Sequence, residues 1–183
     1  MEIVYNRDII LIVSRNQAGK TTLAKNLIEK IPKEDVIILD TQNSFQGYPN
    51  RLFPIRHTPE VLNKFILKCR TFTNKMIVLD DVDVFKPRYA NDFYDLVVTN
   101  AHQGLGVIMT AKRVLWLDKV IIQNAHYLIF SSFIPVEDKE YIDKMLGKGV
   151  IKWSKIDKLP LYTFMVYDNF NNKFSIIKTH VVK

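Results

Sequence analysis

Short, mainly apolar runs alternate along the chain with longer segments of mixed character. The runs lie at Ile9–Val13 and at 35–40, 76–79, 106–110 and 127–131. Each is bounded by polar or turn-forming residues, a pattern typical of strands buried on both faces of a parallel sheet. In most of the segments between them, apolar residues recur at the spacing of helices. The pattern therefore predicts a sheet of parallel strands joined by helical crossovers.

Helices are predicted at 20–31, 59–71, 89–103, 117–124 and 135–146. Pro32, Gly104 and Gly147 end three of them, and Thr58 and Pro59 suit the start of another. A short edge strand is predicted at 52–56, and alternation at 159–167 and 173–182 predicts a hairpin. We expect a three-layer α/β/α sandwich with a C-terminal β-hairpin. A single domain would span 1–183, with its core at about 8–131 and the final helix and hairpin at 135–183.

Composition and charge indicate the kind of partner and the cellular location to expect for this chain of 183 residues. The net charge of +7 and pI of about 9.4 favour a polyanionic partner. The single cysteine, Cys69, excludes an internal disulfide and falls on the apolar side of a helix, where a buried residue is expected. We find no run as long as a membrane span and no signal-peptide pattern. A cytoplasmic protein without a membrane partner is expected.

A phosphate-binding loop follows the first apolar run. The residues are Ser14, Arg15, Asn16, Gln17, Ala18, Gly19, Lys20, Thr21 and Thr22. They match G-x-x-x-x-G-K-[ST] except that Ser14, a small residue, replaces the first glycine, and they stand between a strand and a helix as the motif requires. All nine are predicted to bind ATP through their backbone N–H groups or side chains. Lys20 would bridge the β- and γ-phosphates, and the Thr21 hydroxyl would bind Mg²⁺.

The run at 76–79 ends in acids, as a Walker B strand does. Asp80 would hold Mg²⁺, and Asp81 stands where a glutamate often polarises the attacking water. Asp83 is the second candidate for that base. A helix and a strand intervene between strand 9–13 and the acids. This arrangement favours the RecA-like, additional-strand class of P-loop NTPases.

Residues 103–113 and 121–130 resemble the second half of FtsK–HerA-type ATPases, especially the compact genome-packaging ATPases of viruses. The resemblance covers roughly residues 8–131. It implies an ATPase that works as a homo-oligomeric ring, pentameric or hexameric, and translocates double-stranded DNA. Capsid or portal vertex proteins would be further candidate partners, and the host cytoplasm the location.

The family pattern carries over with departures. His102 matches a histidine before the glycine, but Ala101 stands where the family has an arginine. Lys112 occupies the place of a polar sensor glutamine and can only donate hydrogen bonds. Arg113 matches the arginine beside it. Because residue 101 is not an arginine, Arg88 and Arg113 are the candidates for a catalytic arginine that contacts the γ-phosphate from a neighbouring subunit or within the chain.

Other features leave alternatives open. Lys86, Arg88 and the C-terminal lysines are candidates for DNA contacts. Trp116 and Trp153 could stack on bases, although packing in the core or the hairpin is favoured. A small nucleoside or nucleotide kinase remains an alternative, with Asp40 binding the acceptor. An ATP-binding switch protein for assembly or morphogenesis is another, because Asp81 and Lys112 both depart from the usual residues.

Overall fold

In the computed structural model, which describes residues 3–132 and 134–180, eight strands form one sheet. They are β1 (Ile9–Val13), β2 (Val36–Leu39), β3 (Asn50–Leu52), β4 (Lys75–Leu79), β5 (Leu105–Ala111), β6 (Tyr127–Phe130), β7 (Thr163–Asp168) and β8 (Lys173–Lys178). Their order is β3-β2-β4-β5-β1-β6-β7-β8. The first six strands are parallel, and β7 and β8 pair antiparallel at one edge. The mainly parallel sheet and the C-terminal hairpin are as the sequence predicts.

Helices cover the two faces of the sheet unequally. They are α1 (Lys20–Ile28), α2 (Pro59–Cys69), α3 (Asn91–Thr99), α4 (Lys119–Asn124), α5 (Val136–Leu146) and α6 (Trp153–Ile156). Side chains alternate across the strands, so Ile9, Leu11 and Val13 pack with α2 to α5, while Ile10 and Ile12 pack with α1 on the other face. The three-layer sandwich is therefore confirmed. Among the described residues, no helix combines the length and apolar character needed to cross a membrane.

The position of β5 decides where the functional loops meet. It lies between β1 and β4, pairing with both in parallel register (Ile10 with Ile108, Val78 with Ile108). The strand that precedes the phosphate loop and the strand that precedes the acids are therefore separated by one strand, which confirms the additional-strand arrangement. Parallel strands end at the same edge, so the loops that begin at residues 14, 80 and 112 gather there.

Two predicted elements lie elsewhere in the structure. The edge strand forms at Asn50–Leu52, where it pairs with β2, and not at 52–56. Pro54 has no N–H to donate, and Ile55 is 97% exposed. The helix predicted at 89–103 is limited to Asn91–Thr99, followed by a 3₁₀ turn. The side chain of Asn100 donates to the carbonyl of Leu105 (2.8 Å), which ties this turn to β5.

Several helices and strands are shorter than predicted. Helix α1 ends at Ile28, α4 begins at Lys119 and β7 begins at Thr163. The short helix α6 was not predicted, because four residues are too few to show a helical period. Strand β8 ends at Lys178, and positions 181 and 182 of its predicted range lie outside the described residues. Cys69 is buried, as expected.

Gly106 allows the N-terminal segment to cross β5. A Cβ at this position would lie 2.0 Å from the Tyr5 carbonyl oxygen. We predict that Gly106→Ala lowers the free energy of unfolding by roughly 2–3 kcal/mol, because the backbone of the crossing segment must move. Urea denaturation measures this. Gly149→Ala is the control, since a Cβ there meets nothing within 4 Å and only its φ of +82° is strained, at about 1 kcal/mol. Equal losses for both variants would show that the crossing imposes no constraint.

Candidate functional site

The phosphate loop begins where β1 ends, and Ser14 fixes that point. Its N–H donates to the Ala111 carbonyl oxygen (3.2 Å), and its hydroxyl shares a short hydrogen bond with the hydroxyl of Ser131. Ser14 is fully buried, so the side chain that replaces the usual glycine joins the end of β1 to that of β6. Gln17 and Gly19 have φ of 62° and 93°, which turn the backbone into helix α1.

Lys20 is held inside the loop. Its Nζ donates to the Arg15 carbonyl oxygen at 3.1 Å and lies 3.7 Å from Asp81 Oδ1. The side chain is almost completely buried, and the loss of hydration lowers the pKa of its ammonium group, while the charge of Asp81 opposes that shift. A buried cation whose carboxylate partner is 3.7 Å away can exchange that partner for a phosphate.

Asp80 accepts hydrogen bonds from three hydroxyl groups. Thr21 Oγ1 and Thr110 Oγ1 donate to Oδ1 at 3.1 and 3.0 Å, and Thr41 Oγ1 donates to Oδ2 at 3.4 Å. Burial, and next the charge of Asp81, raise the pKa of Asp80 to about 6. A buried carboxylate beside hydroxyl oxygens is a donor set that suits Mg²⁺. The two predicted metal-binding residues, Thr21 and Asp80, are therefore in contact.

Asp81 lies between two lysines. Its Oδ2 is 2.9 Å from Lys112 Nζ, whereas its Oδ1 is the oxygen that lies 3.7 Å from Lys20 Nζ. The backbone has φ 45° and ψ 50°, a left-handed conformation, and its N–H donates to Thr110 Oγ1 at 2.7 Å. This bond to β5 holds the turn that directs the carboxylate into the pocket. The arrangement can hold a γ-phosphate and place a base beside it.

These residues line a pocket of about 580 Å³. Its lining consists of Asn16, Gln17, Gly19, Lys20, Thr21, Thr22, Gln42, Asp81, Lys112 and Tyr162. Of the other residues predicted to bind nucleotide, Ala18 is buried, Ser14 lies beneath the loop and Arg15 is exposed outside it. The sequence pattern predicts neither Gln42 nor Tyr162 as part of this pocket. Only Gln42 had a signal, its place two residues beyond the acid at the end of β2.

Asp83, the second candidate base, is buried away from that pocket. Its Oδ2 accepts from the Arg113 N–H at 3.3 Å, and burial raises the pKa of the carboxyl group. The geometry therefore favours Asp81 over Asp83 as the group beside the phosphates.

The predicted catalytic role of Arg113 finds no support within the chain. Its Nε donates to Asp138 Oδ2 at 2.6 Å, and Asp138 also accepts from the Leu115 N–H at 3.0 Å. Asp138 is fully buried at the start of α5, so it needs a cationic partner. Arg113 therefore anchors α5 to the end of β5 and does not line the pocket that borders the phosphate loop.

Arg88 also lies outside the pocket. It is exposed, and its guanidinium donates to the Leu115 carbonyl oxygen. It lines a separate concavity of about 290 Å³, which we term the basic–aromatic groove. The lining is Asp83, Val84, Lys86, Arg88, Tyr89 and Trp116. A catalytic role for Arg88 would require the nucleotide of another subunit.

The two tryptophans differ in how far their side chains are buried. Trp153 packs against Phe130 and donates to Asp143 at 2.9 Å, as the packing prediction requires. Trp116 is 51% exposed in the basic–aromatic groove, so the same prediction is wrong for it.

The carboxylate of Asp40 accepts four hydrogen bonds, three from the loop that follows it and one from Arg51 in β3. Oδ1 accepts from the N–H groups of Gln42 and Ser44, and Oδ2 accepts from the N–H of Phe45 and from Arg51 at 2.8 Å. These four bonds use the capacity of a carboxylate. Asp40 therefore orders the segment that presents Gln42 and has no capacity left for the acceptor of a kinase.

Sheet order, phosphate loop and acid pair define the P-loop NTPase fold. Among solved structures, the chain is similar to the DNA-packaging ATPase B204 from Sulfolobus turreted icosahedral virus. The identity is 17% over 96% of this chain and 100% of that chain, with a TM-score of 0.81. The genome-packaging NTPase B204 of Sulfolobus turreted icosahedral virus 2, in complex with AMPPCP, gives 17% identity over 97% and 100%, with a TM-score of 0.78.

A more distant likeness is to EccC of Thermomonospora curvata (ATPases 2 and 3), with 13% identity over 97% of this chain and 37% of that chain and a TM-score of 0.69. No family model and no curated protein matches the sequence. The resemblance to FtsK–HerA-type and viral packaging ATPases is confirmed at the level of the fold.

We predict that Arg113→Ala lowers the free energy of unfolding by roughly 2 kcal/mol, because it leaves Asp138 buried without its cation. Chemical denaturation measures the loss, and adding Asp138→Asn to this variant should recover part of it. Arg70→Ala is the matched control. Its partner Asp95 is exposed and 3.6 Å away, so the loss should stay below about 1 kcal/mol. An Arg113→Ala chain of unchanged stability would contradict the anchoring role.

Proposed function

We propose that the chain is an ATP-hydrolysing motor that translocates double-stranded DNA, as in viral genome packaging. One observation carries the proposal: the contact between Thr21 and Asp80 and the group formed by Lys20, Asp81 and Lys112 converge on the pocket at the phosphate loop. This pocket provides oxygen donors for Mg²⁺, cations for phosphates and a carboxylate for water. Its fold neighbours are NTPases, some in complex with ATP analogues.

The first step is exchange of partners by the two lysines. When ATP binds, Lys20 moves from the Arg15 carbonyl to the β- and γ-phosphates, and Lys112 moves from Asp81 to the γ-phosphate. Within the part of the chain that the structure describes, Asp81 is the only oppositely charged partner within 4 Å of either ammonium group, so stronger phosphate contacts can replace it. Mg²⁺ held by Thr21 and Asp80 would neutralise charge on the phosphate oxygens.

Once both lysines have moved to the phosphates, the carboxylate of Asp81 is free to act as the base. This carboxylate, no longer paired with the lysines, accepts a hydrogen bond and then a proton from the attacking water. The water oxygen bonds to the γ-phosphorus as the bond from that phosphorus to the β–γ bridging oxygen breaks and ADP leaves. Gln42 lines the same pocket and can both donate to and accept from that water. Because aspartate is one methylene shorter than glutamate, the left-handed turn at position 81 is needed to bring the carboxylate close enough.

A homo-oligomeric ring would complete the site. Charge that develops on the γ-phosphate is commonly stabilised by an arginine. Arg113 is engaged by Asp138, and Arg88 lies outside the pocket of its own chain. We therefore infer that Arg88, or another exposed arginine, reaches the nucleotide of the neighbouring subunit in a pentamer or hexamer. Capsid or portal vertex proteins would bind such a ring during packaging.

The basic–aromatic groove is the proposed contact with double-stranded DNA. Lys86 and Arg88 can bind backbone phosphates, and Tyr89 and Trp116 offer exposed rings for sugar contacts. The 3₁₀ turn Val82–Phe85 connects Asp81 directly to Lys86, so movement at the acid is passed to the groove. The net charge of +7 favours the same partner.

We predict that double-stranded DNA stimulates steady-state ATP hydrolysis, and that Lys20→Ala and Asp81→Asn abolish the stimulated rate. Loss of a general base should lower kcat by about 10²- to 10⁴-fold while nucleotide binding persists. Asp83→Asn is compared without DNA, because Asp83 also lines the basic–aromatic groove, and it should keep most of the basal rate, since Asp83 does not line the pocket at the phosphate loop. Turnover that survives Asp81→Asn would exclude this residue as the base.

Phosphate-transfer and ATP-binding measurements, made beside the hydrolysis assay, separate the kinase and the assembly switch from the motor. Transfer of phosphate to a nucleoside monophosphate would identify a kinase, a result that the bonding of Asp40 disfavours. Tight ATP binding with negligible hydrolysis, with and without DNA, would identify an assembly switch.

For the groove, we predict that Lys86→Ala and Arg88→Ala each weaken DNA binding and reduce the slope of log affinity against log salt by about 1. Fluorescence anisotropy with a labelled duplex measures this. Lys148→Ala, an exposed lysine near the end of α5, is the control and should change little. If Arg88→Ala leaves DNA affinity intact but lowers the turnover of assembled chains, Arg88 acts on the neighbour's nucleotide and not on DNA.

A further inference from the structure

Tyr162 forms part of the nucleotide pocket although it lies far from the phosphate loop in the sequence. Its ring contacts Gly19: a Cβ built on that glycine would be 2.8 Å from Tyr162 Cδ1. The tyrosine is 50% exposed, so one part of the ring packs on the loop and the rest faces open space. Burial against the loop does not explain an aromatic ring left half-exposed in a polar pocket.

The chemistry of the lining gives the pocket a direction. Lys112 and Asp81 mark the end where the γ-phosphate lies, because they are the charged groups beside Lys20. Tyr162 has no bond to that group and stands over Gly19, at the entry to α1, where Thr22 also lines the pocket. A triphosphate that extends from Lys112 along the loop therefore brings its nucleoside toward Tyr162.

The backbone at Tyr162 is constrained to hold the ring in place. Its φ is +62°, a conformation that a bulky residue adopts only when neighbouring structure imposes it. The Tyr162 carbonyl oxygen accepts from the Thr179 N–H at 3.0 Å and is 3.5 Å from the Thr179 hydroxyl. The turn that carries Tyr162 is thus fixed by the residue that follows β8.

That following segment is itself attached to helix α1. Asn26 and His180 exchange two hydrogen bonds, from Asn26 Nδ2 to the His180 carbonyl and from the His180 N–H to Asn26 Oδ1, each 3.0 Å. The His180 ring also contacts Glu29 Oε2 at 3.0 Å. Residues 162, 179 and 180 therefore form a wall built on the helix that begins at the phosphate loop.

We propose that Tyr162 is the nucleobase-binding residue of this site, and that it stacks on the purine of the bound nucleoside triphosphate. The proposal rests on the proposed function, since it assigns the base end of the same pocket. Stacking uses the face of the ring and no hydrogen-bond pattern, so the site should accept adenine and guanine nucleotides with similar affinity.

The test compares ligands with and without a base. Affinities for ATPγS, GTPγS and inorganic tripolyphosphate would be measured by isothermal titration calorimetry for the wild type, Tyr162→Ala, Tyr162→Phe and Leu161→Ala. We expect Tyr162→Ala to weaken both nucleotides by about 10- to 100-fold and to leave tripolyphosphate binding unchanged. Tyr162→Phe, which keeps the ring, and Leu161→Ala, an exposed neighbour outside the pocket, should match the wild type.

Steady-state kinetics gives a second readout. Tyr162→Ala should raise KM for ATP with little change in kcat, because the reacting phosphate is distant from the base. An equal loss of nucleotide and tripolyphosphate affinity, or no loss at all, would overturn the assignment of Tyr162 and leave the proposed function intact. A wild-type chain that binds neither ligand would overturn the proposed function itself.

Discussion

Two adjacent buried carboxylates at the end of strand β4 are the constraint on which the site depends. Burying a charge is costly unless it is paired or hydrogen-bonded. Three threonine hydroxyls surround Asp80, and two lysines bracket Asp81. These partners come from the phosphate loop, from the residue after β2's acid and from β5. The strand order that places β5 between β1 and β4 therefore also supplies partners that offset the cost of burying the acid pair.

The sequence predicted the elements whose signals are local. Apolar runs located the buried strands, and the spacing of Gly19, Lys20 and Thr21 located the phosphate loop. What the sequence could not reveal depends on contacts between distant segments. Thr110 ends an apolar run and has no distinguishing pattern, yet it binds Asp80 and the Asp81 N–H because β5 is adjacent to β4. Tyr162 enters the pocket only because the hairpin returns beside β6.

The arginines also show that contacts between distant segments cannot be predicted from the sequence, here because such a contact argues against a predicted role. Position 113 follows β5 at the edge where phosphates bind, which made a catalytic role reasonable. The structure adds a buried acid, Asp138, that engages the guanidinium. Arg88 lies just beyond a strained connection, because Asp81 and Lys86, at either end of the turn Val82–Phe85, both have left-handed backbones. Each such residue costs about 1–3 kcal/mol, and a turn of this kind can change shape when its acid changes partners.

The contact between Tyr162 and Gly19 has a consequence for the order in which the protein matures on the ribosome. The phosphate loop is synthesised about 140 residues before the tyrosine that packs on it, and Tyr162 directly precedes the hairpin of β7 and β8. A nascent chain that has emerged only through β6 already has β1, β4 and β5 to assemble the acid pair, but it lacks the wall over Gly19. Full nucleotide affinity would then arise only after the segment from Tyr162 to His180 has emerged and packed against α1.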